Sequence, residues 1–197
     1  MTIFYRLGNN LYVNITNRCP CSCIFCIRNL TDSVGDAPSL WLEQEPTLDE
    51  IKLAFQDRQD LNEVNEVVFC GYGEPMARAN DIFFLSSFIK KMTGLKVRIN
   101  TNGLVNFLVP DFDVSKLAIV DSISVSLNAD DAEEYVRIVR PKFGLESYNG
   151  MLKFVTDAKK YTDVTLTVMS DLGTERIGNC YRIAEELGVP LRIRGYM

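Results

Sequence analysis

No histidine occurs among the 197 residues of this chain. That absence removes Ser-His-Asp and Cys-His catalysis, histidine-ligated zinc and imidazole acid–base chemistry together. Chemistry is left to Cys, carboxylate, amide, hydroxyl, Lys, Arg or a bound cofactor. Basic charge is also scarce: a net charge of −5 and a pI of about 4.9 exclude a general phosphate-binding surface, and no nucleic-acid partner is expected. No segment approaches the ~18 uninterrupted apolar residues of a membrane span. The first residues, MTIFYRLGNN, lack a charged stretch followed by a long apolar run and so do not read as a secretory signal. Linkers and low-complexity tracts are missing as well. The expectation is a soluble, cytoplasmic protein with one domain over 1–197.

What is present is an ordinary apolar content of 47% and six cysteines. Three disulfides are a weak reading in a cytosolic chain of this size. Four of the cysteines, Cys19, Cys21, Cys23 and Cys26, fall within eight residues, and such crowding suits a metal site better than a disulfide framework.

Strand-like and helix-like runs alternate. Strands are expected near 11–16, 66–70, 96–100, 121–127, 163–169 and 191–194, and helices near 47–59, 80–93, 130–138, 147–160 and 174–187. Thr47 with Glu50 reads as a capping box and Thr174 as a second helix start, while Gly94 and Gly188 read as stops. Ile3 to Arg6 pairs with the first strand as a hairpin through Gly8-Asn9-Asn10. Residues 28–46, with Trp41, form a long polar loop. Repeated βα order predicts an α/β fold with parallel strands in a sheet or barrel.

Several of these strands alternate, although strands buried on both faces usually read as continuous apolar runs. Val97 and Ile99 interleave with Arg98 and Asn100, and Ile123, Val125 and Leu127 with Ser122, Ser124, Ser126 and Asn128. The same holds for Val164, Leu166 and Val168 against Thr165 and Thr167, and for Leu191 and Ile193 against Arg192 and Arg194. One face is therefore apolar and packs on helices; the other is polar and lines the concave inside of an open barrel. An antiparallel sheet with one wet face is the alternative.

The loop after the first of these strands contains C-x3-C-x2-C at Cys19, Cys23 and Cys26. Thiolates hold four-iron clusters, ordinarily one per iron, so three ligands leave one iron open. Catalytic metals need such an open position. A four-cysteine zinc site that includes Cys21 is chemically possible, but zinc sites usually separate their cysteine pairs in sequence.

With Phe25 just before the third cysteine, this spacing resembles the signature of the radical S-adenosylmethionine (SAM) superfamily. Three further stretches resemble that superfamily in order and spacing. Cys70-Gly71-Tyr72-Gly73-Glu74-Pro75 resembles the element that holds the SAM amino group: glycines admit a ligand close to the backbone, and the carboxylate stands near an ammonium. Thr101-Asn102-Gly103 resembles the element after the third strand. Ser124-Val125-Ser126-Leu127-Asn128 resembles the stretch that meets the SAM ribose and carboxylate, although many members carry an acid where Asn128 stands. All lie at C-terminal strand ends, where parallel α/β proteins place their sites.

The resemblance implies a partial (β/α)6 TIM-like barrel, a [4Fe–4S] cluster on Cys19, Cys23 and Cys26, and SAM contacts from Phe25, Gly71, Gly73, Glu74, Thr101, Asn102, Ser124, Ser126, Asn128 and Arg192. It implies reductive cleavage of SAM to a 5′-deoxyadenosyl radical that abstracts hydrogen, with electrons from a flavodoxin- or ferredoxin-type donor. The stretches Phe69 to Pro75 and Tyr135 to Pro141 are similar to a narrower group, the radical SAM proteins associated with TatD-type hydrolases. The chain has no second cysteine cluster and ends at the sixth of these strands, which suits a polypeptide substrate, as in the glycyl-radical activases; a small molecule is the other reading. A non-enzymatic Fe–S or zinc module is the rival class. Cys21 is expected beside the cluster, Cys70 as a small buried side chain and Cys180 in the core. Arg194 shares its face with Arg192, and Arg140 either reaches into the mouth or ends a helix.

Overall fold

The computed structural model describes residues 1–31 and 33–195, which group into two compact units. The first comprises Met1–Cys19, Cys26–Asn100 and Ile119–Asp121; the second comprises Pro20–Phe25, Thr101–Ala118 and the residues from Ser122 onward.

In the first unit β1 (Phe4–Leu7) and β2 (Asn10–Val13) form the expected hairpin, with Phe4 opposite Val13. β2 then runs parallel to β3 (Glu66–Phe69), and β3 parallel to β4 (Lys96–Thr101). Parallel neighbours need a crossover. The helices α1 (Leu48–Gln56) and α2 (Ala79–Thr93) lie in those connections. The capping box exists: the Thr47 side chain accepts from the Glu50 N–H, and Glu50 accepts from the Thr47 N–H at 2.7 Å. α2 stops at Gly94, whose φ of 71° is left-handed and therefore suits glycine.

β2 ends earlier than the strand expected over 11–16. After Val13 the polar side chains leave the ladder and hold the irregular 28–46 segment instead. Asn14 Nδ2 donates to the Leu40 carbonyl at 2.7 Å, and Asn17 Nδ2 donates to that of Leu42 at 2.7 Å. On β4, Val97 and Ile99 are buried as expected. On the opposite face Arg98 bonds Glu66 at 2.7 Å and Asn100 at 2.7 Å, so the polar face here is a satisfied network.

The second unit contains a short helix α3 (Val105–Leu108), which the sequence reading did not anticipate, and three parallel strands: β5 (Ser122–Ser126), β6 (Asp163–Met169) and β7 (Leu191–Arg194). Between β5 and β6 lie α4 (Ala132–Val139) and α5 (Glu146–Ala158); α6 (Thr174–Leu187) precedes β7. Ile123, Val125, Leu127, Val164, Leu166 and Val168 are all buried, with Met151 and Phe154 of α5 also in the core. The opposite face carries Ser122, Ser124 and Ser126. Cys180 is buried on α6.

α6 starts at Thr174 as expected, with Gly173, at φ 88°, as its N-cap, and two other expectations are corrected here. The tight turn Ser170–Leu172 delivers the chain in a conformation that glycine tolerates and a β-branched residue does not. Ile193 does not pack under a helix but is 42% exposed, on a strand registered only with β6 among the described residues. Cys70 is half-buried rather than buried.

Leu127→Ala should cost about 2–5 kcal/mol of stability, as large-to-small core changes do. Ser126→Ala should lie within roughly ±0.5 kcal/mol of the parent, as for a surface position. Denaturant melts of the two variants check this, and a reversed pattern would mean that the faces of β5 are misassigned.

Candidate functional site

No disulfide joins any of the six cysteines. Cys19, Cys23 and Cys26 are each partly accessible, whereas Cys21 is buried. Cys19 and Cys26 belong to the first unit and Cys23 to the second. Among the described residues no three Cys, Asp or Glu side chains already converge on a point as ligands of a single ion. A four-iron cluster does not ask for that, because its thiolates bind different irons. Three accessible sulfur donors are the right chemistry for such a cluster.

In the first unit, residues 71–74 pack against the chain that leads into Cys19. A β-carbon on Gly73 would lie 2.3 Å from the Thr16 carbonyl oxygen and 2.7 Å from that of Arg18; one on Gly71 would lie 2.1 Å from Asn14 Oδ1. These glycines therefore serve close approach of protein to protein, beyond the approach of a ligand that their sequence suggests. The Glu74 N–H donates to the Arg18 carbonyl at 2.8 Å. Its carboxylate is buried, not solvated, and accepts from the Met76 N–H at 3.0 Å, capping the turn Pro75–Arg78. Tyr72 donates its hydroxyl to the Thr31 carbonyl and meets Trp41 edge-on at 5.1 Å between ring centres. The Cys70 carbonyl accepts from the Tyr5 hydroxyl at 3.2 Å. Burial, with Cys70 beside it, pushes that hydroxyl's pKa far up, so Tyr5 stays a donor.

In the second unit, Thr101 and Asn102 turn the chain after β4. Thr101 Oγ1 accepts from the Gly103 N–H at 3.1 Å, and Asn102 Oδ1 accepts from the Leu104 N–H at 2.9 Å. Asn102 Nδ2 points to Cys21 Sγ at 3.6 Å. Gly103 sits at φ 76° against Val125 and Met151. On the polar face of β5, Arg192 Nη2 donates to Ser124 Oγ at 3.2 Å. Ser126 is half-buried on the same face. Arg140 is the left-handed C-cap of α4 at φ 50°, so it ends the helix.

A cavity of about 440 Å³ opens in this unit, walled by Ile24, Phe25, Asn128, Ile138, Met169 and Leu172. Asn128 is only 4% exposed and lies in the left-handed region at φ 57°, and its carboxamide oxygen has no hydrogen-bond partner among the described residues. Glu134, Arg137, Asp171 and Arg176 line the cavity as well. Arg176 is shared between Asp130 and Asp131, and Arg137 grips Glu134 through two bonds of 2.6 Å. The hydrogen bond from Arg137 holds the Glu134 carboxyl below its usual range.

Sequence reasoning named Phe25 and Asn128 on this cavity but missed Met169, Asp171, Leu172 and Arg176. Their only signal was position just past β6. Glu134 and Arg137 sit three apart on α4, a spacing that announces an ion pair and not a cavity wall.

Motifs at the C-terminal strand ends of a parallel α/β sheet stand where proteins of this class carry their sites. The Radical SAM superfamily pattern matches residues 13–176, and the chain belongs to that superfamily. That superfamily is a family of enzymes that use a [4Fe–4S] cluster and SAM. A GTP 3′,8-cyclase from Corynebacterium glutamicum is 32% identical over 144 residues, 70% of this chain and 35% of that protein. One from Limosilactobacillus fermentum is 30% identical over 138 residues, 70% of this chain and 39% of its own length. The chain thus spans little more than a third of these relatives. Among solved structures, TYW1 with a lysine–pyruvate adduct superposes with a TM-score of 0.65 at 17% identity, over 96% of this chain and 65% of that one. Native anSMEcpe with bound AdoMet gives 0.68 at 16% identity, over 94% and 50%. These establish the fold, a partial TIM-like barrel. No helix among the described residues is long and apolar enough to cross a membrane.

Gly73→Ala should lower stability by about 1–3 kcal/mol or more, because backbone carbonyls cannot yield to the new methyl group. Gly178→Ala, on α6 with open space around it, should raise stability by roughly 0.5–1 kcal/mol. Paired thermal melts of the protein without cofactors test both, and equal effects would contradict the packing described.

Proposed function

We propose that residues 1–197 act as one radical SAM core that cleaves SAM reductively and abstracts hydrogen from a small polar molecule. The observation that carries this reading is the cavity in the second unit. It joins Phe25, the aromatic residue of the cysteine motif, to Asn128 at the end of β5, whose buried oxygen awaits a donor.

In this reading Cys19, Cys23 and Cys26 hold the cluster and leave one iron open. Bound together, the cluster and SAM supply one-electron reduction and a radical able to take hydrogen from an unactivated C–H bond. Phe25, Ile24 and Leu172 exclude water from the cavity, and Asn128 accepts a hydrogen bond from the ligand within it. Glu74 supplies negative charge to the ligand's ammonium, and the glycines beside it hold its turn in place. Thr101, Ser124 and Ser126 complete the polar lining, and Arg192 offers its guanidinium to a carboxylate.

The small-molecule choice rests on the nucleotide chemistry in the names of relatives at 30–32% identity. A polypeptide of the glycyl-radical activase type is the second reading, and nucleotide against peptide stimulation of SAM cleavage separates the two. A flavodoxin- or ferredoxin-type donor, a cytoplasmic setting and the TatD-linked grouping complete the proposal, the last on Phe69 to Pro75 and Tyr135 to Pro141.

After anaerobic reconstitution the protein should hold about four irons. Cys19→Ala, Cys23→Ala and Cys26→Ala should each abolish its broad visible absorbance. With SAM and dithionite, the intact protein should release 5′-deoxyadenosine; colourless, zinc-loaded protein would overturn the reading.

Glu74→Gln keeps an oxygen for the Met76 N–H and removes only the charge. It should weaken SAM binding by about 1.5–3 kcal/mol, roughly 10- to 150-fold, without loss of iron. Unchanged affinity by calorimetry would confine Glu74 to its cap.

A further inference from the structure

Four cysteines within eight residues pose a problem of selection, since any three, or all four, could ligate iron. The structure treats Cys21 differently from the rest: it is 3% exposed, while Cys19, Cys23 and Cys26 remain accessible. Two separate devices hold it. The first is backbone pairing between residues 20–24 and 138–142. Cys21 bridges Pro141, the Ser22 N–H donates to the Val139 carbonyl at 3.1 Å, the Ile24 N–H to that of Ile138 at 2.9 Å, and the Lys142 N–H to that of Pro20 at 2.9 Å. The second is Asn102. Its oxygen is fixed by the Leu104 N–H at 2.9 Å, which leaves the amide nitrogen directed at Cys21 Sγ, 3.6 Å away.

We propose that Asn102 is a positioning residue that withdraws Cys21 from the ligand set, so that one iron stays open for SAM. This rests on the reading of Cys19, Cys23 and Cys26 as cluster ligands. A sulfur acceptor makes only a weak hydrogen bond, but the competition is also finely poised. Cys21 lies two residues from Cys19 and two from Cys23, and a fourth thiolate satisfies the ordinary ligation of a four-iron cluster. When the clamp is lost, the Cys21 thiol gives its proton to solvent and its sulfur bonds the fourth iron, in the position that the amino and carboxylate groups of SAM would occupy. No oxidant or reductant is consumed. The reserve on Asn102 explains why a residue in a SAM-linked motif spends its side chain on the cysteine loop.

The test is a suppressor experiment on the reconstituted protein. Asn102→Ser removes the reach to Cys21 while its hydroxyl still accepts from the Leu104 N–H. This variant should hold about four irons. Its apparent SAM affinity should fall in proportion to the fraction of molecules whose fourth iron remains uncovered, on the order of five- to tenfold. The SAM-induced change in the electron paramagnetic resonance spectrum of the reduced cluster should shrink with it. Cys21→Ala alone should keep its irons and bind SAM like the parent. The double variant should regain SAM affinity to within about twofold of the parent, because no competing thiolate remains.

A double variant as weak as Asn102→Ser overturns the proposal, since Asn102 would then contact SAM or merely shape the turn. An unaffected Asn102→Ser, or a Cys21→Ala that loses its irons, overturns it as well. Should Asn102→Ser fail to melt cooperatively, Asn102→Asp takes its place with the same outcomes. If the parent protein itself takes up no cluster, it is the proposed function that fails.

Discussion

The close pass between the end of β2 and the loop after β3 organises the first unit. The carbonyl oxygens of Thr16 and Arg18 stand where a side chain on Gly73 would begin, and the carboxamide of Asn14 stands where one on Gly71 would begin. A turn packed this tightly cannot drift, and the Glu74 N–H bond to Arg18 fixes its register. The same five residues, Asn14 to Arg18, also carry the 28–46 segment. Amides from Asn14 and Asn17 satisfy carbonyls of a stretch with no ladder of its own, as buried backbone groups require. Arg18 grips Glu45 through bonds of 2.7 and 2.9 Å. Burial alone would raise the Glu45 carboxyl; hydrogen bonds from Arg18 and Thr16 outweigh it, so the group stays ionised and the tie persists.

The second unit holds its share of the cysteine loop by a different means, backbone against backbone. That pairing depends on how α4 stops. Pro141 cannot continue a helix and disfavours helical geometry in the residue before it, and Arg140 turns left-handed at φ 50°. The last carbonyls of α4, those of Ile138 and Val139, accept from the Ile24 and Ser22 N–H groups, and past the stop the Lys142 N–H donates to the Pro20 carbonyl. The residues that end a helix are thus the ones that place Ile24 and Phe25 on the cavity wall.

The parts of this design written in local chemistry were legible beforehand. Alternation on β4, β5 and β6 announced which apolar side chains are buried, because side-chain direction has a strict period of two, while Ser124 and Thr167 on the other face proved buried as well. Thr47, Glu50, Gly94 and Gly188 marked helix ends through capping and left-handed backbone. The strand expected over 11–16 ended early, where the polar side chains of Asn14 and Thr16 found partners outside the ladder, and alternation failed at the exposed Ile193. The 20–24 pairing with 138–142 was illegible, since it joins segments more than a hundred residues apart with no pattern in either. The cavity was half legible: motif residues Phe25 and Asn128 were named, whereas Met169 and Leu172 reach it only through the course of the chain after β6.

Asn128 stands apart on the cavity wall. A buried acceptor without a partner among the described residues costs about 1–3 kcal/mol. The left-handed backbone at the same residue adds strain that an ordinary turn would avoid. Two costs at one position on a cavity wall are consistent with function overriding stability there. The charges around the cavity are matched: Arg137 is held by Glu134, and Arg176 by Asp130 and Asp131, so neither guanidinium is left to attract an anion strongly. Ile24, Phe25, Ile138, Met169 and Leu172 supply the apolar part of the wall and Asn128, Glu134, Arg137, Asp171 and Arg176 the polar part, so residues of one unit offer apolar contact together with a buried acceptor.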